Sequence, residues 1–161
     1  MNLSCSLSIP YPEVKVERHN KAAAVLLNNA LFTSFGELNA ISDYIFESII
    51  TKETDPHISD ILECISMTEM NHFKTLTKMI YLLGGVNAYR PWTKNKYHIK
   101  PNYDLFEVSS MIKQNIEVEK RAIKDYKRLF AQINDKYVRR SLERIILDEE
   151  HHVELFSALI K

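Results

Sequence analysis

Glu-x-x-His occurs twice in this chain, as Glu69-Met70-Asn71-His72 and as Glu149-Glu150-His151-His152, each time on a helical seam that should carry apolar residues. A second matched pair precedes them. Glu37 and Glu119 are each followed at the same intervals by alanine (Ala40, Ala122), isoleucine (Ile41, Ile123), aspartate (Asp43, Asp125) and tyrosine (Tyr44, Tyr126). The step from Glu37 to Glu119 nearly equals the step from Glu69 to Glu149, as if one helix pair had been duplicated. A Glu from each of two helices, with Glu-x-x-His from each of the other two, is the donor set of a two-metal site inside a four-helix bundle.

The rest of the chain agrees with an all-α fold. Only 3 glycines and 5 prolines punctuate 161 residues, and between them lie four stretches of helical periodicity. The pattern predicts helices at about 20–52, 56–83, 104–132 and 136–160 in a single domain spanning 1–161, with residues 1–19 as an N-terminal extension. Leu142, Ile145, Glu149, His152, Phe156 and Leu159 share one face of the last helix, and Leu62, Ile65, Glu69, His72, Leu76 and Met79 one face of the second. Thr54-Asp55-Pro56 reads as a capping side chain followed by a first-turn proline, Asn134-Asp135 as the cap of the last helix, and Gly84-Gly85 as a left-handed helix end. Short links make two antiparallel hairpins. The segment 84–103, with Pro91, Trp92, Tyr97 and Pro101, is too long for a hairpin turn. Its extended reach of roughly 60 Å exceeds the roughly 42 Å of a 28-residue helix, which predicts a crossover along the whole bundle.

Depth brings the four carboxylates together. Counted from the hairpin turns, Glu37, Glu69, Glu119 and Glu149 all reach a level roughly 20 Å into the bundle at 1.5 Å per residue. A spacing of three places each Glu and His on one face. Carboxylates left unpaired there would each cost several kcal/mol in desolvation, with mutual repulsion added. Two divalent cations relieve both, and hard oxygen donors with imidazole suit iron or manganese. The predicted ligands are Glu37, Glu69, His72, Glu119, Glu149 and His152. Glu117 competes with Glu119, but two positions on a helix lie about 200° apart and the match to the first helix selects Glu119. Tyr44 and Tyr126, two turns beyond their glutamates, either bond the carboxylates and take part in redox steps or are large core residues with satisfied hydroxyls. Asp148 is expected to orient a ligand histidine, its alternative being a surface charge. Glu47, Glu63, Glu150 and His151 read as surface or supporting positions, and His19, His57 and His98 as ordinary loop or surface residues.

Composition removes other classes. The 21 basic and 21 acidic side chains cancel, leaving no positive field for nucleic acid. No window approaches the ~20 apolar residues of a membrane span, and residues 1–18 lack the apolar run of a signal peptide. Cys5 and Cys64 form no Cys-x-x-Cys pair and read as two reduced thiols, which implies a cytoplasmic protein.

Taken together, Ile9-Pro10-Tyr11-Pro12, Gly36-Glu37-Leu38, Glu69 to His72, Leu83-Gly84-Gly85, Glu119 with Tyr126, and Ile146 to His152 resemble the ferritin-like dimetal-carboxylate superfamily. Within it the chain is most similar to a small manganese-catalase-like group of bacterial proteins related to rubrerythrin and bacterioferritin. The resemblance implies a ferritin-like bundle with two iron or two manganese ions and redox activity on hydrogen peroxide or dioxygen, of the manganese-catalase or rubrerythrin type. It also implies a homo-oligomer, dimer or higher, and leaves room for an external electron donor such as rubredoxin. Rubrerythrins commonly carry a rubredoxin-type iron centre on paired Cys-x-x-Cys motifs, which this sequence lacks; typical manganese catalases are longer and carry terminal segments that lock a hexamer. Two further classes share the bundle: an iron-handling ferroxidase, and a non-enzymatic coat or scaffold protein.

Overall fold

The computed structural model describes residues 4–33, 35–87 and 107–160. Five helical segments build four bundle rods: α1 Lys21–Phe32 and α2 Glu37–Thr51 in line as the first, then α3 Pro56–Leu82, α4 Val108–Gln132 and α5 Lys136–Leu159. The side chains of Asn20, Asp55 and Asp135 accept hydrogen bonds from first-turn amides and cap α1, α3 and α5. At the end of α3, Gly84 takes φ +79 and the Gly85 amide donates to the Ile80 carbonyl, the left-handed stop expected there.

The first rod departs from the uninterrupted helix expected over 20–52. The Thr33 amide closes α1 on the Asn29 carbonyl, the Gly36 amide returns to the Thr33 carbonyl, and α2 begins at Glu37. Thr33, Ser34 and Gly36 are weak helix formers, and a β-carbon on Gly36 would overlap the Ala30 carbonyl oxygen and crowd the Leu31 backbone. Periodicity missed the break because α1 and α2 both pack along α3.

Buried side chains show the topology. One apolar cluster joins Leu27 of α1, Met79 and Leu83 at the end of α3, Leu129 near the end of α4 and Leu142 of α5. The other joins Tyr44 of α2, Ile58 and Leu62 at the start of α3, Met111 and Ile112 at the start of α4 and Phe156 near the end of α5. α3 and α4 therefore run parallel, and the chain from Leu82 to Val108 must return to the opposite end of the bundle. The expected crossover residues Pro91, Trp92, Tyr97 and Pro101 lie outside the described residues. No helix among the described residues is long and apolar enough to cross a membrane.

Residues 4–19, expected only as an extension, form a strap without helix or strand that runs antiparallel to α5. Its Glu17 amide donates to Asp135 Oδ2 at 2.7 Å. Its Leu7 and Ile9 carbonyls each accept from the Arg144 guanidinium at 2.8 Å. Farther along, the Leu7 amide reaches Asp148 Oδ1 at 2.9 Å. Cys5 and Cys64, read from the sequence as separate reduced thiols, are joined in a disulfide that ties the strap to α3, with their Cα atoms 5.8 Å apart. A separation of 59 residues carries no pairing signal; the strap's path creates the pair. The cytoplasmic expectation loses the premise on which it rested.

Gly36→Ala should lower stability by about 1–3 kcal/mol, because backbone rather than a flexible side chain stands in the way. A thermal melt would check this, and an unchanged midpoint would show that the break tolerates a side chain.

Candidate metal centre

Between the two apolar clusters lies one polar layer. Glu37 enters it from the first turn of α2, Glu69 and His72 from the middle of α3, Glu119 from α4, and Glu149 and His152 from α5. All six are at most 3% exposed, and both histidines are fully buried. Donor atoms of Glu37, Glu69, His72 and Glu149 lie within 4.8 Å of one another, as do those of Glu69, Glu119, Glu149 and His152. Glu69 and Glu149 belong to both groups, so each could be shared between two cations.

The histidines present their Nδ1 atoms to the carboxylates. His72 Nδ1 is 3.0 Å from Glu69 Oε2 and 3.2 Å from Glu149 Oε1; His152 Nδ1 is 2.9 Å from Glu69 Oε1 and 3.1 Å from Glu149 Oε2. Their outer nitrogens face acceptors: His72 Nε2 lies 3.3 Å from Asp148 Oδ2, and His152 Nε2 lies 2.9 Å from the Cys5 carbonyl oxygen. Neither acceptor can donate, so each Nε2 carries a proton and Nδ1 is the atom available for a metal. Glu69 Oε1 is buried and accepts no hydrogen bond, although His152 Nδ1 stands close by. A buried carboxylate oxygen 2.9 Å from an imidazole nitrogen is a donor set that suits iron or manganese.

The tyrosines bond across the repeat. Tyr44 of α2 donates to Glu119 Oε1 of α4 at 2.6 Å, and Tyr126 of α4 donates to Glu37 Oε1 of α2. Each glutamate that belongs to one group only is thus held by the tyrosine of the opposite half. Asp148 is fully buried rather than a surface charge. Besides His72, it meets Arg144 Nη1 at 2.6 Å, Ser6 Oγ at 3.0 Å and the Tyr11 hydroxyl. Burial alone would raise its pKa, but these donors hold it well below the ordinary carboxylate value. Tyr11 is pushed up to about 12, first by burial.

Sequence reasoning missed several participants. Arg144, Ser6, Tyr11 and the Cys5 carbonyl belong to no repeated motif, and the strap alone brings three of them in. Glu47, read as surface or supporting, is fully buried and accepts a hydrogen bond from Asn115 Nδ2. The Glu47 charge also acts on Tyr44, helping to raise its pKa after burial and Glu119. Beside Tyr126 there is a cavity of about 170 Å³ lined by Asn29, Thr33, Phe35, Asp125 and Leu129 among others. Glu117, Glu63 and Glu150 are exposed, with Glu117 bonded to Lys120 and Glu150 to Lys127. His19 and His57 are exposed, His151 is half-buried beside the Ser4 carbonyl, and His98 lies outside the described residues.

A bundle of four rods with a long return between the second and third is the ferritin-like fold. The chain belongs to the rubrerythrin family, whose profile matches residues 27–160. It is 32% identical over 170 aligned positions to a probable manganese catalase of Clostridium acetobutylicum, the alignment covering 89% of this chain and 72% of that one. Two solved structures of KatB, a manganese catalase from Anabaena, superpose with a TM-score of 0.75 at 18% identity, over 95% of this chain and 77% of theirs.

Protons take the place of cations in the metal-free layer. Burial, then the charges of Glu69 and Glu149, raises Glu37 and Glu119 well above 4.5. Burial alone would lower His72 and His152, but the surrounding carboxylates outweigh it and raise both well above 6.5. Burial likewise works to raise Glu69, but the two histidines hold it well below 4.5. The sign follows by linkage. The raised carboxylates destabilise the fold at neutral pH, and stability returns as pH falls toward 4.5. The histidine contribution is complete below 6.5 and is lost as pH rises through the folded values. Glu69 opposes this only below 4.5. The metal-free protein should therefore melt at a higher temperature near about pH 5 than near about pH 8, and bound metal should flatten the difference. An equal melting temperature at both values, read by calorimetry without metal, would contradict the clustering.

Proposed function

We propose that this chain holds two iron or manganese ions on Glu37, Glu69, His72, Glu119, Glu149 and His152 and consumes hydrogen peroxide as a manganese-catalase-like enzyme. The observation that carries the reading is the pair of overlapping four-donor groups that share Glu69 and Glu149. The 32% identical relative named a probable manganese catalase supports it, as does the rubrerythrin family match.

Two ions that each change oxidation state by one would supply the electron pair that cleaves the O–O bond of one peroxide and take back a pair from a second peroxide as it becomes dioxygen. The remaining chemistry belongs to the protein. The Asp148 carboxylate and the Cys5 carbonyl keep the histidine protons on Nε2, so both Nδ1 atoms stay turned inward. Tyr44 and Tyr126 fix Glu119 and Glu37 through hydroxyl protons, and each can relay a proton to or from the carboxylate it bonds. The apolar clusters above and below exclude water, and the cavity beside Tyr126 is several times the ~30 Å³ of a water molecule, enough for peroxide.

Disproportionation turns two peroxides into two waters and one dioxygen, and needs no outside electrons. A peroxidase reaction needs a donor. Both cysteines of this sequence are in the disulfide, so they supply no thiolates for an iron–sulfur relay within it, and a peroxidase reading takes its electrons from a separate redox centre such as rubredoxin. Self-association belongs to the same proposal: Ile45, Phe46, Ile49 and Ile50 are each more than a third exposed along α2.

Metal analysis should find close to two ions per chain, with Glu69→Ala and His152→Ala each losing metal; full occupancy in both variants would remove the assignment. The manganese-loaded protein should then evolve dioxygen from hydrogen peroxide on an oxygen electrode without reductant, and Glu37→Ala should lower that rate by at least about tenfold. No oxygen from either metal form, with rapid peroxide loss once reduced rubredoxin is added, would favour the peroxidase. Metal uptake without any peroxide turnover would favour the iron-handling alternative.

A further inference from the structure

The two histidines are supported by different means. The partner of His72 is the Asp148 carboxylate, a side chain of α5 that is also paired with Arg144 from the preceding turn of the same helix. The partner of His152 is a main-chain carbonyl of the strap, that of Cys5, at 2.9 Å. No helix or strand holds Cys5 in place. A covalent bond does: its side chain is 2% exposed and joined to Cys64, which lies on α3 little more than a turn before Glu69.

We infer that the Cys5–Cys64 disulfide is a positioning clamp for His152, holding the Cys5 carbonyl oxygen against Nε2 and so setting how the His152 half of the centre binds metal. The inference rests on the metal-centre reading above. Neither cysteine touches the reacting atoms, and the clamp acts only through the orientation of one ring. Because α3 also carries Glu69 and His72, the bond fixes the strap to the same rigid element that supplies one of the two carboxylates common to both donor groups. Cut the bond and Cys5 keeps only its packing in the apolar cluster and the 2.9 Å carbonyl contact itself, with the nearest firm anchors at Ser6 and Leu7, so the carbonyl gains freedom that the ring then shares. Asp148 shares Ser6, the Leu7 amide and Tyr11 with the strap, but it sits on α5 and keeps Arg144 at 2.6 Å when the bond is cut, so His72 retains its partner. The consequence is selective: the group containing His152 weakens and the group containing His72 does not. A dithiol reductant makes the cut by exchange, transferring two electrons; the protein disulfide becomes two thiols as the reductant closes into its own disulfide.

The test compares the full-length oxidised protein, the same protein reduced by a dithiol, and Cys64→Ser. Histidine-selective nitrogen NMR on the metal-free chain should show hydrogen-bonded Nε2 protons for both His72 and His152 when oxidised. Reduction and Cys64→Ser should each abolish the His152 signal and leave that of His72, and reoxidation of the wild type should restore it. Stepwise manganese(II) titration should find one of the two ions bound about 10- to 100-fold more weakly, the range expected for loss of such a supporting contact. In His152→Ala, reduction should change nothing further. An unaltered His152 signal and unaltered affinities after reduction would overturn the clamp, and so would equal weakening of both ions, which would mark a general loosening. If Cys64→Ser does not fold, the reduced wild type, its helicity verified by circular dichroism, decides alone. If the oxidised protein bound no metal at all, the centre itself would be refuted, while the NMR comparison would still judge the clamp.

Discussion

Four carboxylates share one nearly dry layer of this bundle, and most of the surrounding structure answers that constraint. Ionised and unpaired they would repel one another in a medium that screens poorly. In the metal-free chain the two imidazoles and shared protons offset the repulsion; two cations would do so more completely. The layer is tolerable because it is thin. Apolar clusters lie above and below it, so the helices are held by packing at both ends while the middle carries the polar groups.

The internal repeat gives the centre a near two-fold symmetry, visible in the crossed pairs Tyr44 with Glu119 and Tyr126 with Glu37. That symmetry breaks at three places. The first rod is interrupted before Glu37 whereas α4 runs unbroken past Glu119. A buried Glu47–Asn115 pair stands on the Tyr44 side and a cavity opens beside Tyr126. One histidine leans on a helical carboxylate and the other on a strap carbonyl. All three place the two halves of the centre in different surroundings.

The strap is as much a part of the centre as the helices. Arg144 ties its main chain to α5 while its guanidinium lies 4.3 Å from the Tyr11 ring centroid. Asp148 collects Arg144, Ser6, the Leu7 amide, Tyr11 and His72 on one carboxylate. Such a carboxylate stays ionised in a buried place because its donors outweigh the cost of burial.

The helical rods, the parallel crossover topology and the six side chains that meet in the polar layer were legible in the sequence, because helical periodicity and a repeated motif are local patterns. Spacing places Glu69 beside His72 whatever the tertiary fold, and even Glu117 could be separated from Glu119 by helical geometry alone. What escaped depends on chain segments meeting at a distance. The break at Thr33 to Gly36 was hidden because both pieces pack on one neighbour. The burial of Glu47 needed the position of Asn115 on another helix. The pairing of Cys5 with Cys64, and the choice of Asp148 and the Cys5 carbonyl as histidine partners, were decided only when the strap folded back along α5. A strap has no periodicity to read: its place is set by hydrogen bonds to side chains far along the chain, and those exist only in three dimensions.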